Sequence, residues 1–166
     1  FAIAFSAILA VVADFGISSL LIREISRDKK SLGKYFSNSI VIKSFLAIVT
    51  FILAFAYLNL LGYSYNAKII AYILLAFAVL QSFTDLFYSA FRAFERMHFD
   101  SGIKVLRMIV LVILVVILVR NHASLVAVGI AFPLTEIVMF LVSSIIYLKY
   151  FEGYSIQYYS GIIINI

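Results

Sequence analysis

The chain has 166 residues, of which 65% are apolar and 13% charged, with a net charge of +5 and no cysteine. A soluble domain is nearer half apolar and a quarter charged, and a core of this size cannot hide so much apolar surface from water. The absence of cysteine excludes disulfides, thiolate metal sites and a cysteine nucleophile.

Five segments are long and apolar enough to span a bilayer: about 1–22, 40–61, 67–91, 103–119 and 123–148. The chain opens on Phe1 inside the first of them, with no initiator Met, no charged n-region and no small-residue cleavage site, so it does not begin as a signal peptide. It stops at Ile166 as another apolar run begins. Further helices are therefore expected on both sides. The fourth segment is short and rich in Val and Ile, which in water would suggest a strand. In lipid an open strand leaves its backbone unsatisfied, so a helix is expected there too.

The connections set the orientation. Arg23, Arg27, Lys29, Lys30 and Lys34 lie between the first two segments, and Arg92, Arg96, Lys104 and Arg107 between the third and fourth. The other two connections carry one cation each, Lys68 and Arg120. The positive-inside rule makes loops 23–39 and 92–104 cytoplasmic and brings Lys149 to the same side. Residues 1–150 read as one transmembrane bundle. Residues 151–166 read as a cytoplasmic linker and the start of a further helix. Tyr57, Tyr63, Tyr65, Tyr147, Tyr150 and Tyr154 fall near segment ends, as an aromatic belt does.

Ionisable groups inside a span cost about 2.5–3.5 kcal/mol each on insertion scales, so each needs a reason. Asp14 shares a small, polar face with Ser6, Ala10 and Ser18. Its role is either in a cavity or as the partner of a neighbouring helix. Lys43 begins a face that continues through Ala47, Thr50, Ala54 and Tyr57; close helix packing and simple snorkelling both fit it. Gln81, Asp85, Tyr88 and Arg92 share one face of the third span. Asp85 then either lines a cavity or pairs with Arg92 near the surface. Arg107 reads as an interface anchor, because Met108 to Val119 is apolar all round and should face lipid. Glu136 lies near the middle of the fifth span, three residues after Pro133, the one proline in the chain. Pro133 cannot donate to the carbonyl of Gly129, so a kink with a freed carbonyl is expected beside a buried carboxylate. Interrupted helices at the midplane point to transport sites; the alternative is a packing kink with a protonated glutamate.

No metal site or catalytic constellation can be drawn from the spacing. His98 and His122 are isolated, and the glycines form no phosphate-binding loop. The basic clusters fit a membrane surface better than nucleic acid. No cofactor is expected.

The stretch Asp14-Phe15-Gly16-Ile17-Ser18-Ser19-Leu20-Leu21-Ile22-Arg23-Glu24-Ile25-Ser26-Arg27 resembles the second helix and first cytoplasmic loop of polysaccharide-export flippases. These are the O-antigen and capsule repeat-unit translocases of the multidrug/oligosaccharidyl-lipid/polysaccharide exporter superfamily. Phe91-Arg92-Ala93-Phe94-Glu95-Arg96-Met97 resembles the loop after their fourth helix, and Gly129-Ile130-Ala131 the start of their sixth. The resemblance implies an all-α integral membrane protein whose five helices form most of the N-terminal bundle of a 12–14-helix flippase in the cell membrane. It implies a pathway between two bundles that takes a lipid-linked oligosaccharide through its pyrophosphate and sugars, by alternating access and without enzymatic chemistry. Asp14, Lys43, Asp85, Arg92, Arg107 and Glu136 are the residues of this chain expected along that pathway. A proton or sodium gradient could drive it, carried by Glu136 or Asp85. The alternatives are a related exporter of drugs or of a peptidoglycan precursor, and a membrane-embedded glycan polymerase or ligase. The short external loops argue against the last.

Overall fold

A computed structural model describes Val11, residues 14–60, Gly62 and residues 65–151. The described residues form five α-helices and a short 3-10 turn: α1 (Ile17–Arg27), the turn Lys29–Ser31, α2 (Leu32–Leu60), α3 (Tyr65–Ala93), α4 (Met97–Arg120) and α5 (Leu125–Phe151). Helices α2 to α5 are long and apolar enough to cross a membrane. The described residues are thus all-helical, and the chain is a multi-pass membrane protein. Most of the first expected span, including Ser6 and Ala10, lies outside the described residues, as do Tyr63, Tyr154 and the expected linker after residue 151.

The helices overrun the expected spans at the basic connections. Residues 32–39 and 97–103, read from the sequence as loop, are helical. Polar residues at the ends of a membrane helix continue its hydrogen-bond ladder into the headgroup layer, so composition alone sets the boundary too early. The first expected span also departs from a continuous helix. Phe15 and Gly16 have φ of 43° and 76°, in the left-handed region, and α1 starts only at Ile17. Glycine adopts that backbone without a Cβ clash, which makes the break affordable there. Below it, Ile17, Leu21 and Ile25 form the buried stripe of a short amphipathic helix.

Helix α3 is the most buried span and α4 the least. The contacts of α3 with α5 advance together along both chains: Ile73 meets Gly129, Phe77 meets Phe132 and Phe87 meets Phe140. The two helices therefore run parallel. Those of α3 with α2 run in opposite senses, Lys68 reaching Asn59 and Phe87 reaching Phe36. Lys29 sits 5.5 Å over the Phe94 ring, which brings the two basic connections to the same end of the bundle. The main apolar core lies at that basic end, from Leu21, Leu32 and Phe36 to Leu86, Phe91, Ile103 and Tyr147. Tyr147 belongs to it rather than to an aromatic belt: it is 3% exposed and stacks on Phe36 at 4.8 Å. Helix α4 turns Val105, Met108, Ile109, Val112, Val116 and Val119 outward, as an apolar circumference in lipid requires.

Candidate functional site

The charged residues of the spans face one another across helices. On α2, Ser39, Lys43, Thr50, Ala54 and Leu58 are buried and mark the face toward the bundle. Lys43 is completely buried. Its Nζ donates to Asp14 Oδ1 at 2.7 Å, to the Ser82 carbonyl of α3 and, at 3.5 Å, to Ser18 Oγ. Ser18 Oγ in turn donates to the same Asp14 oxygen at 2.6 Å. An ammonium has three protons, and each here points at an acceptor. Snorkelling does not describe Lys43: its head is held inward, tying the segment above the Phe15–Gly16 break to α1, α2 and α3. Asp14, about one-third exposed, takes the role of partner and also borders a cavity.

That cavity, about 540 Å³, is lined by Val11, Asp14, Phe15, Gly16 and Asp85. Asp85 lies in the electrostatic field of Lys43, Asp14, Lys104 and Glu136. Its carboxylate has no hydrogen-bond partner among the described residues, while its backbone carbonyl accepts from Ser89 Oγ at 2.7 Å. Arg92, seven positions along the same face, does not pair with it. The Arg92 Nε instead donates to Asp100 Oδ2 at 2.7 Å, and Lys104 Nζ lies 2.8 Å from Asp100 Oδ1. Asp100, on the first turn of α4, is nearer to Arg92 than a carboxylate two turns up the same helix can be. Lys104 also stands 5.2 Å over the ring of Tyr88.

The deepest group is Glu136, fully buried on α5. Its Oε2 accepts from Arg107 Nη1 of α4 at 3.4 Å, and its Oε1 has no partner among the described residues. Arg107, expected at the interface, is turned inward with its side chain 15% exposed. Helix α5 remains continuous through Pro133, and Thr135 Oγ1 donates to the Ala131 carbonyl at 2.8 Å beside it. Gly129 packs against Ile73. Tyr88 of α3 adjoins Glu136, Arg107, Asp85 and Ser143. The hydroxyls of Tyr88 and Ser143 are buried, and neither has a hydrogen-bond partner among the described residues.

The structure thus joins Asp14 to Lys43 beside Asp85, and Arg107 to Glu136, while Arg92 pairs with Asp100 at the basic end. Sequence reasoning missed Ser82 and Asp100 as partners and Ser143 as a buried polar neighbour. Ser143 had a signal, since it lies seven residues after Glu136 on the same helical face. The Ser82 contact uses a backbone carbonyl and left none.

A family model described as a polysaccharide biosynthesis protein matches residues 1–163. No curated protein and no solved structure matches the chain.

Proposed function

Because the chain belongs to this polysaccharide biosynthesis protein family, we propose that it is a flippase that moves a polyprenyl-pyrophosphate-linked oligosaccharide across the cell membrane for surface polysaccharide synthesis. One observation carries the reading. Five ionisable side chains from the spans and the segment before α1 (Asp14, Lys43, Asp85, Arg107 and Glu136) are gathered against α3, while α4, the most apolar helix, faces lipid. Polar groups so placed face the protein interior rather than lipid, as the lining of a path requires. The family and the polar interior both favour a transporter over an enzyme. In this reading cations attract the pyrophosphate, sugars pass through a wetted lumen, and one bundle rocks against another. Glu136 carries the coupling proton, with Asp85 as the second carboxylate on the route. The basic end of the bundle is cytoplasmic, by the excess of Lys and Arg there.

Deleting the protein from its cell should abolish surface glycan and leave lipid-linked oligosaccharide in the cytoplasmic leaflet. Intact surface glycan together with sensitivity to toxic cations would favour a drug exporter of the same build. Orientation is read by placing single cysteines at Lys29 and Asn66: an impermeant thiol reagent should label the second in intact cells and spare the first. The reverse pattern would invert the bundle.

A further inference from the structure

Burying a carboxylate away from water is useful only if the proton it exchanges has a route. Glu136 sits two helical turns from Ser143 on α5, and Tyr88 of α3 lies in the electrostatic field of Glu136 with its hydroxyl beside Ser143. Three polar atoms line this parallel helix contact without partners among the described residues: Glu136 Oε1, Tyr88 Oη and Ser143 Oγ. Each is fully enclosed, with Glu136 and Ser143 at 0% exposure and Tyr88 at 1%. A buried polar atom left unsatisfied costs about 1–3 kcal/mol, so three in one seam need a common explanation. A buried water takes two to four polar partners, which is what this seam offers.

We propose that Tyr88 and Ser143, bridged by bound water, form a proton relay that joins Glu136 to the basic end of the bundle. This rests on the reading that Glu136 carries a proton. The end of the relay is set by what faces Tyr88. Lys104 lies over its ring and pairs with Asp100, which also holds Arg92, and the Lys104 and Arg92 side chains are 39% and 36% exposed. The groups that face the relay are Asp85 from α3, Arg107 and Lys104 from α4, and Glu136 from α5. A hydroxyl is both donor and acceptor. In the transfer, a hydronium ion at the basic end gives a proton to the seam and is left as water, and each hydroxyl oxygen accepts one proton while releasing its own to the next acceptor. Glu136 Oε1 takes the last, so the net change is hydronium to water and carboxylate to carboxylic acid. Arg107 keeps its place on Oε2 and holds the side chain in register.

The protein in lipid nanodiscs gives a direct readout. The carbonyl stretch of a protonated Glu136 is identified as the infrared band lost in Glu136→Gln, and its deuterium exchange is timed. Tyr88→Phe keeps the ring, its packing and its contact with Lys104; Ser143→Ala removes only a hydroxyl. In each, exchange at Glu136 should slow about 100-fold, the lower range of what a positioned proton-transfer group contributes, with the band at its original frequency. A merely structural role would shift the band and leave the rate. Exchange at the wild-type rate in both variants overturns the relay and leaves Glu136 as carrier. A Glu136 that shows no acid band at any pH overturns the relay and the carrier assignment together, while the surface-glycan test of the flippase reading stands apart from either result.

Discussion

At the Asp14–Lys43 pair the oxygen and nitrogen are 2.7 Å apart, and the ammonium also reaches Ser18 and the Ser82 carbonyl. At the Glu136–Arg107 pair the distance is 3.4 Å, and one carboxylate oxygen has no partner among the described residues. Both pairs join residues 29 positions apart and both include a completely buried member. The difference lies in how fully the charges are used. A buried pair whose donors are all engaged has one low-energy arrangement and fixes helices relative to one another. A buried pair with spare hydrogen-bonding capacity has more than one, and is able to change protonation or partner. By that measure Lys43 ties its helices together, and Glu136 keeps the spare acceptor that its proposed role in proton transfer uses.

The strongest way to break the comparison is at the tie. Lys43→Met should cost about 3 kcal/mol, because it removes one partner of a buried pair, and should lower both the thermal midpoint in detergent and the amount of protein in the membrane. Asp14→Asn keeps an acceptor for Lys43 and is partly solvated, so its loss should be smaller, about 1 kcal/mol. Equal losses for the two would shift the weight of the tie onto Asp14. At the other pair the expected stability effect is smaller still and the functional effect larger. Glu136→Gln preserves volume and most hydrogen bonding, so it should reach the membrane at near-normal level while glycan export per molecule falls. Export that stays unchanged from acid to alkaline medium would erase the distinction between the pairs and leave Asp85 as the next carrier. Asp85→Asn breaks no hydrogen bond among the described residues, so its thermal midpoint should stay within the range of an ordinary surface change, about 0.5 kcal/mol. A larger shift would mean that its charge, rather than its bonds, holds Lys43 in place. The smallest effect is expected at Gly129→Ala. A Cβ there would lie 3.7 Å from Ile73, an ordinary contact, and the gain in helix propensity is at most about 1 kcal/mol. Marked destabilisation would show that α3 and α5 approach more closely during function than at rest.

The long apolar spans were legible because lipid imposes one rule on all of them: about 20 apolar residues in a row. The Phe15–Gly16 break was not, since its side chains are as apolar or small as their neighbours and the hydrophobic pattern runs straight through. Charge partners divided the same way. A stripe along one helix, such as Asp85 to Arg92, is visible in the sequence, but it suggested a pairing that the structure resolves differently, with Asp100 of the next helix on Arg92. Lys43 with Asp14 and Arg107 with Glu136 are contacts between helices, fixed by rotation and register that no single-helix periodicity encodes. That each of these ionisable groups had to have a reason followed from the cost of burying it; which reason depended on the neighbour.

The unequal helix lengths carry one more consequence. At 1.5 Å per residue, the 29 residues of α2 and of α3 extend about 43 Å, while the hydrocarbon slab is about 30 Å thick. Helix α4, with 24 residues and an apolar surface turned outward, is the closest match to that slab. The excess of α2 lies partly in its first two turns, from Leu32 to Ser39, where Leu32 and Phe36 join the core and Lys34 remains exposed. The bundle therefore stands in the membrane with a collar at headgroup depth. A thicker bilayer would draw Lys34 toward hydrocarbon, while α4 would adjust least. Lipid chain length then becomes a mechanical input to the same helices that hold Lys43 and Asp85.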